Sequence, residues 1–345
     1  MGARTSQSFV ERAPYALHER MPSPTAVLVR SHKPSNAMIQ RMAEWQRSLA
    51  EAHIRMHISL DTTHGTDAAE TVKASVPEAS IHTYDEREML TAFPHLNEVI
   101  TKMPGAGEWS GLRQLADGMT AERVDAALEG GWRKWAGEKS SLAWGMHTEA
   151  IVLWWRSLVQ AKSVDQKQMP QFVWVLEDDV GFTAELAELV QAYEGDAEAD
   201  LITDEPTRSE PLRKVRCEPK PDGQPGSNVR WEGWCWHDTC TDDYASLVPS
   251  DRRWKTKEHA QRFSSRLIEE LATRCEAGCS AWSEQLACSL CLAMPKLTCV
   301  GLRRSTLPPH PKRQYNHDGK VSESEYRDLC SNPHTRGVLL HAMKW

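Results

Sequence analysis

Nowhere in the 345 residues is there an apolar run approaching the ~20 residues needed to cross a bilayer. The start of the chain also lacks the apolar centre of a signal peptide, so no transmembrane segment is expected in it. Positive charge is not in excess: 41 Lys and Arg stand against 48 acids, a net charge of −7, which argues against nucleic acid as a partner. The GxGxxG turn of dinucleotide-binding folds is missing, which demotes hydride-transfer chemistry. Asn-x-Ser/Thr acceptor sites are absent, a point against a secretory route. So are internal repeats and low-complexity tracts. Phe is scarce at 5 while Trp reaches 14; such an indole excess suits stacking on sugars or bases, although packing accounts for most of it.

What remains is an ordinary globular composition, 40% hydrophobic and 26% charged, on a chain long enough for one large or two modest domains. Its most informative stretch is residues 172–180. The apolar run from Phe172 to Leu176 has no polar face, as in a strand buried on both sides, and it ends in Glu177-Asp178-Asp179. Strand alternation sends Glu177 and Asp179 to one side and Asp178 to the other. Carboxylates at the carboxyl end of such a strand sit where open α/β sheets bind ligands. Left unpaired they would repel, so a divalent cation bridging them to a polyphosphate is the economical account. The bland alternative is a solvated strand end.

In chain order, residues 1–23 are a flexible lead-in. Residues 25–30 form a strand, 37–52 a helix with Met38, Ile39, Met42, Trp45 and Leu49 on one face, and 54–60 a second strand ending at Asp61. This is a βαβ unit. Asp61 either meets a ribose or base, or caps the next turn. Residues 79–84 read as a third strand, 141–160 as a helix, 184–190 as another, and 199–203 as a strand. Glu149 is expected on a solvated helix face. Residues 100–135 read as an insertion. A shift to Pro, Gly and charged residues from 206 marks the internal boundary, dividing residues 24–205 from 206–345 as two halves of one domain. Residues 259–274 are expected to be helical, as is the segment opened by Ser283-Glu284, and 297–302 a late strand. Trp231, Trp234 and Trp236 beside Asp238, Asp242 and Asp243 suit a sugar face, or equally a small hydrophobic core.

Eight of the nine cysteines lie after residue 230. Cys275/Cys279 and Cys288/Cys291 fit a zinc staple, a disulfide or two, or small buried thiols on helices. Met1-Gly2 with Ser6 formally fits a myristoylation pattern, and a disordered start is the plainer account. The compartment is left open: Golgi or endoplasmic reticulum lumen if an anchor or signal lies outside this chain, cytoplasm otherwise.

The opening strand 26–30, Asp61, Glu177-Asp178-Asp179 in place of a DxD motif, Glu284 and a late His together resemble a GT-A-type glycosyltransferase. The resemblance implies an α/β fold with a Rossmann-type, mostly parallel sheet flanked by helices, and an acceptor-side region towards the C-terminus. It implies a nucleotide-diphosphate sugar donor, UDP- or GDP-linked, a glycan or other hydroxyl acceptor, and Mn²⁺ or Mg²⁺. Asp179 would be the chief metal ligand. His341 would close the sphere, with His310, His317 and His334 as competitors. Arg30, Asp61, Glu177, Asp178 and Lys344 would contact the donor, Trp231, Trp234 and Trp236 the acceptor. Glu284 is the candidate general base of an inverting reaction, with Asp242 and Asp243 in reserve. A nucleotidyltransferase would normally carry a Gly-rich basic loop after the first strand, and Ser31-His-Lys-Pro-Ser-Asn36 has none. A Trp-rich carbohydrate-binding protein on a degenerate transferase fold is the alternative from another class.

Overall fold

The computed structural model describes residues 23–96, 146–161, 169–204, 254, 256–280, 283–302, 321–341, 343 and 345, with the side chains of 283–285 left aside. Its centre is a seven-stranded sheet. Strand β1 (Thr25–His32) is followed by helix α1 (Asn36–Glu51), β2 (Arg55–Asp61), α2 (Asp67–Ser75), β3 (Ser80–Tyr84) and α3 (Glu86–Ala92). Next come α4 (His147–Gln160), β4 (Phe172–Glu177), the short β5 (Gly181–Phe182), α5 (Leu186–Ala192) and β6 (Leu201–Thr203). The remainder is β7 (Ala260–Ser264), α6 (Ser265–Glu276), α7 (Ser283–Ala293), β8 (Cys299–Gly301), α8 (Glu323–Ser331) and β9 (Leu339–Leu340).

The strand order is β3-β2-β1-β4-β7-β6-β8. Every pairing from β3 to β4 is parallel, as is β6 with β8, and β7 alone is reversed, antiparallel to both β4 and β6. This is a mixed, mostly parallel α/β sheet flanked by helices, as the sequence leads one to expect. It also explains why β1 and β4 read as continuous apolar runs: both faces are covered. On one face Val173, Val175 and Leu28 pack against Phe93, Ile151, Trp154, Leu267 and Leu286 from the turn after α3 and from α4, α6 and α7. On the other, Val27, Val29, Trp174 and Leu176 meet Ile39, Met42, Leu49, Val72 and Leu189 from α1, α2 and α5.

Local chemistry starts the helices where they are needed. Ser35 caps α1 by accepting from the Met38 amide at 3.2 Å, and Asp85 caps α3 by accepting from the Glu88 amide at 2.8 Å. Ser264 closes β7 and opens α6, accepting from the Leu267 amide at 3.1 Å. The sequence expectation of one helix over 259–274 is corrected here: its first part is the strand β7. Gln261 and Arg262 hide the strand character because neither is apolar, yet both are buried. The Arg262 guanidinium donates through its two Nη atoms to the carbonyls of Tyr193 at 2.7 Å and Ala199 at 3.2 Å and lies over the Phe172 ring, which accommodates the charge inside the fold. Of the alternatives open for the cysteines, disulfides and buried thiols are the ones found among the described residues. Cys291 is bonded to Cys299, Cys279 is also in a disulfide, and Cys275 and Cys288 are buried thiols. Residues 100–135 and 206–253 lie outside the described residues.

Glu149 is a further correction, for it is 0% exposed. Ser280 donates to its Oε1, and the Ser280 hydroxyl is in turn 2.6 Å from His95 Nε2. Burial pushes the Glu149 carboxyl up to about 7, although the Ser280 hydrogen bond opposes the shift. The folded state therefore binds a proton that the unfolded chain, near 4.5, has released. Stability contributed by this proton is present below pH 4.5 and is lost as pH rises to about 7, a loss of about 3 kcal/mol. Chemical denaturation across that window should show the decline, and Glu149→Gln should flatten it; a Gln variant with the wild-type pH slope would contradict the assignment.

Candidate active site

The period of β4 continues into the acidic triplet. Glu177 follows Val173 and Val175 towards α4, while Asp178 follows Trp174 and Leu176 towards α1. The Asp178 carboxylate accepts from Ser31 Oγ at 2.5 Å, and its main-chain carbonyl accepts from Arg41 Nη2 at 2.6 Å. Burial, helped by the neighbouring Asp179 and Glu177 charges, pushes Asp178 up to about 7 against the Ser31 hydrogen bond. Asp178 thus ties the strand end to β1 and α1, with its side chain turned away from the two acids that flank it.

Those two acids meet imidazoles. Glu177 Oε2 is hydrogen-bonded to His259 Nδ1 and lies 3.5 Å from His341 Nε2, while Oε1 lies 3.5 Å from His147 Nε2. His341 Nε2 is also 3.2 Å from Asp179 Oδ1. The His259 and His341 rings stack with centroids 3.5 Å apart, and His147 Nδ1 lies 3.0 Å from Glu258 Oε2. Burial would raise the Glu177 pKa, but His259 and the other two imidazoles hold it well below the usual carboxylate range. Burial would lower that of His341, but its bonds to Asp179 and Glu177 raise it to about 9.

Three separate stretches deliver these rings. His147 is the first residue of α4. His259 directly precedes β7, and because β7 runs against β4 its starting end lies beside the finishing end of β4. The Glu177 amide donates to the His259 carbonyl at 3.0 Å, which fixes that junction. His341 follows β9, which pairs antiparallel with β5, so the chain returns past Asp179 and the Met343 amide donates to the Asp179 carbonyl at 2.8 Å. Gly181 permits this approach: a Cβ there would sit 1.9 Å from Met343 Sδ.

Glu177, Asp179 and His341 are brought together. Arg30 is buried on β1, in register with Glu177, and its carbonyl accepts from the Asp178 amide at 3.0 Å. Asp61, at the end of β2, accepts from the Thr63 amide at 2.9 Å and hydroxyl at 2.6 Å, which closes a turn. Glu284 lies in the first turn of α7, with its side chain outside the described residues. Lys344, Trp231, Trp234, Trp236, His310, His317, Asp242 and Asp243 lie outside them too, and His334 is exposed in the 3₁₀ turn after α8. Sequence reasoning missed His147, His259 and Glu258. The available signal was the Glu258-His259 pair immediately before a buried run, obscured by assigning that run to a helix.

The donor set fits a divalent cation. Ligand atoms of Glu177, His259 and His341 lie within 4.8 Å of one another, with Asp179 adjoining. Carboxylate oxygens mixed with imidazole nitrogens suit Mn²⁺ or another transition ion better than an all-oxygen Mg²⁺ site.

No protein-family model and no curated protein matches the chain by sequence. By structure it is similar to mouse xyloside xylosyltransferase 1 in its apo form, with a TM-score of 0.38 and 13% identity over 93% of this chain and 98% of that one. It is also similar to the apo bifunctional glycosyltransferase WbbM, at 0.36 and 12% over 96% of this chain and 47% of that one. A third similarity is to the S. cerevisiae mannosyltransferase Ktr4p in complex with GDP, at 0.33 and 12% over 80% and 69%.

A cation at this site must displace the proton on His341, since imidazole binds metal in its neutral form. Mn²⁺ binding should therefore release close to one proton at pH 7 and tighten as pH rises towards 9. Calorimetry in two buffers of different ionisation enthalpy measures this directly. His341→Ala should abolish the proton release and weaken Mn²⁺ binding at least tenfold, by loss of a ligand; unchanged release in the variant would exclude His341 as a ligand.

Proposed function

We propose that the chain is a metal-dependent glycosyltransferase that moves a sugar from a nucleotide-diphosphate donor to a glycan or other hydroxyl acceptor. The observation that carries this reading is the convergence of Glu177, Asp179 and His341 at the carboxyl end of the central strand β4, where α/β sheets bind nucleotides. When bound, Mn²⁺ or Mg²⁺ supplies positive charge next to the diphosphate leaving group. One opposite charge pair at 4 Å is worth about 4 kcal/mol at an effective dielectric of 20.

The chain's own residues would then divide the work. Asp179 and His341 would hold the cation, with Glu177 fixed beside them by its hydrogen bond to His259. Arg30 and Asp61, on the two strands beside β4, would contact the donor, with Lys344 as a further diphosphate contact. In transfer, an acceptor oxygen forms a bond to the anomeric carbon as the carbon–oxygen bond to the diphosphate breaks. In an inverting reaction the acceptor proton passes to a carboxylate, for which Glu284 is the candidate. Trp231, Trp234 and Trp236 offer an acceptor platform. The disulfides of Cys291–Cys299 and Cys279 support residence in an oxidising compartment such as the secretory lumen.

Calorimetric titration of UDP and GDP, with and without Mn²⁺, tests the reading. Binding of one nucleotide that requires Mn²⁺ and is lost in Asp179→Ala is the expected result and identifies the base. If neither nucleotide binds the folded protein, or if Asp179→Ala binds as the native chain does, the donor assignment fails.

A further inference from the structure

The two oxygens of Glu177 face different partners. Oε2 belongs to the His259–His341–Asp179 side, and Oε1 faces His147, which is paired in turn with Glu258. Potential ligand atoms accordingly fall into two groups, Glu177–His259–His341 and His147–Glu177–Glu258, each within 4.8 Å internally and sharing Glu177. His147 and Glu258 are buried, at 3% and 7% exposure, so this second group is inside the protein rather than a solvated acidic surface.

The geometry points to a pair of divalent cations bridged by Glu177. One position takes Glu177 Oε2, His259, His341 and Asp179; the other takes Glu177 Oε1, His147 and Glu258. Two ions about 3.5–4 Å apart, joined by a shared ligand, are the usual form of a two-metal centre. A second dication would also oppose the carboxylates of Glu177, Asp179 and Glu258 more fully than one ion, which favours an anionic diphosphate nearby. That support rests on the anionic-donor reading above, whereas the ligand geometry does not. His147 and Glu258 thereby become metal ligands alongside the residues of the acidic strand.

The experiment loads the full chain with MnCl₂ alone, removes free ion by dialysis, and counts Mn per chain by elemental analysis with low-temperature EPR in parallel. Two Mn per chain and a spin-coupled EPR signal are expected in the native protein. His147→Ala and, separately, Glu258→Gln should each reduce the count to one and convert the signal to that of isolated Mn²⁺. His341→Ala should also leave one ion, at the other position. Circular dichroism establishes that each variant is folded, and the conservative Glu258→Gln guards against a cavity effect at His147. One Mn per native chain, or a count unchanged in both folded His147→Ala and Glu258→Gln, overturns the proposal. Two coupled ions without nucleotide binding would leave it standing and count against the transferase reading instead; nucleotide binding with one ion would do the reverse.

Discussion

Negative charge gathered where water is largely excluded is the constraint on which this structure turns. Glu177 and Asp179 end a strand whose preceding residues are fully buried, and ionised carboxylates in that position are unfavourable by several kcal/mol each unless opposed. The fold opposes them with His147, His259 and His341, drawn from a helix start, a strand start and the return of the C-terminal segment. Reversal of β7 is the topological key. In a wholly parallel sheet only residues that follow a strand reach this edge; one antiparallel strand adds the residues that precede it, and Glu258 and His259 arrive by that route.

The middle acid has a different part. Asp178 faces the other layer, where Ser31 and Arg41 hold it, and Arg41 also lies over the Trp345 ring. Adjacent residues of one short stretch therefore serve opposite faces of the sheet. The acid turned inward fixes the strand end against β1 and α1, and the two on either side of it are left to face the histidines.

Much of this was legible in the sequence, for identifiable reasons. Strands β1 and β4 announce themselves because double burial leaves continuous apolar runs at 26–29 and 173–176, and α1 because its apolar residues recur at helical spacing. The alternation that separates Asp178 from Glu177 and Asp179 is a property of any strand. Strand β7 was illegible because its burial is achieved with Gln261 and Arg262, which bond over long range to the Thr203 hydroxyl and to the carbonyls of Tyr193 and Ala199, contacts that no local pattern encodes. His147 and His259 were hidden for a related cause: a single imidazole carries no periodicity, and its proximity to Glu177 exists only after the sheet has formed. Glu149 looked like a surface acid because its partners Ser280 and Cys275 are remote in sequence.

The pairing of β5 with β9 has a consequence for how the site comes into being. Its donors lie near residues 147, 177, 259 and 341, so an unfolded or half-made chain offers a cation no more than scattered single ligands. An ion with a preference for the assembled cluster therefore binds the native state selectively and deepens its free-energy well by an amount set by the ion's concentration relative to its dissociation constant. Metal availability in the cell would then act as a thermostat on the persistence of the folded protein, quite apart from any part in catalysis.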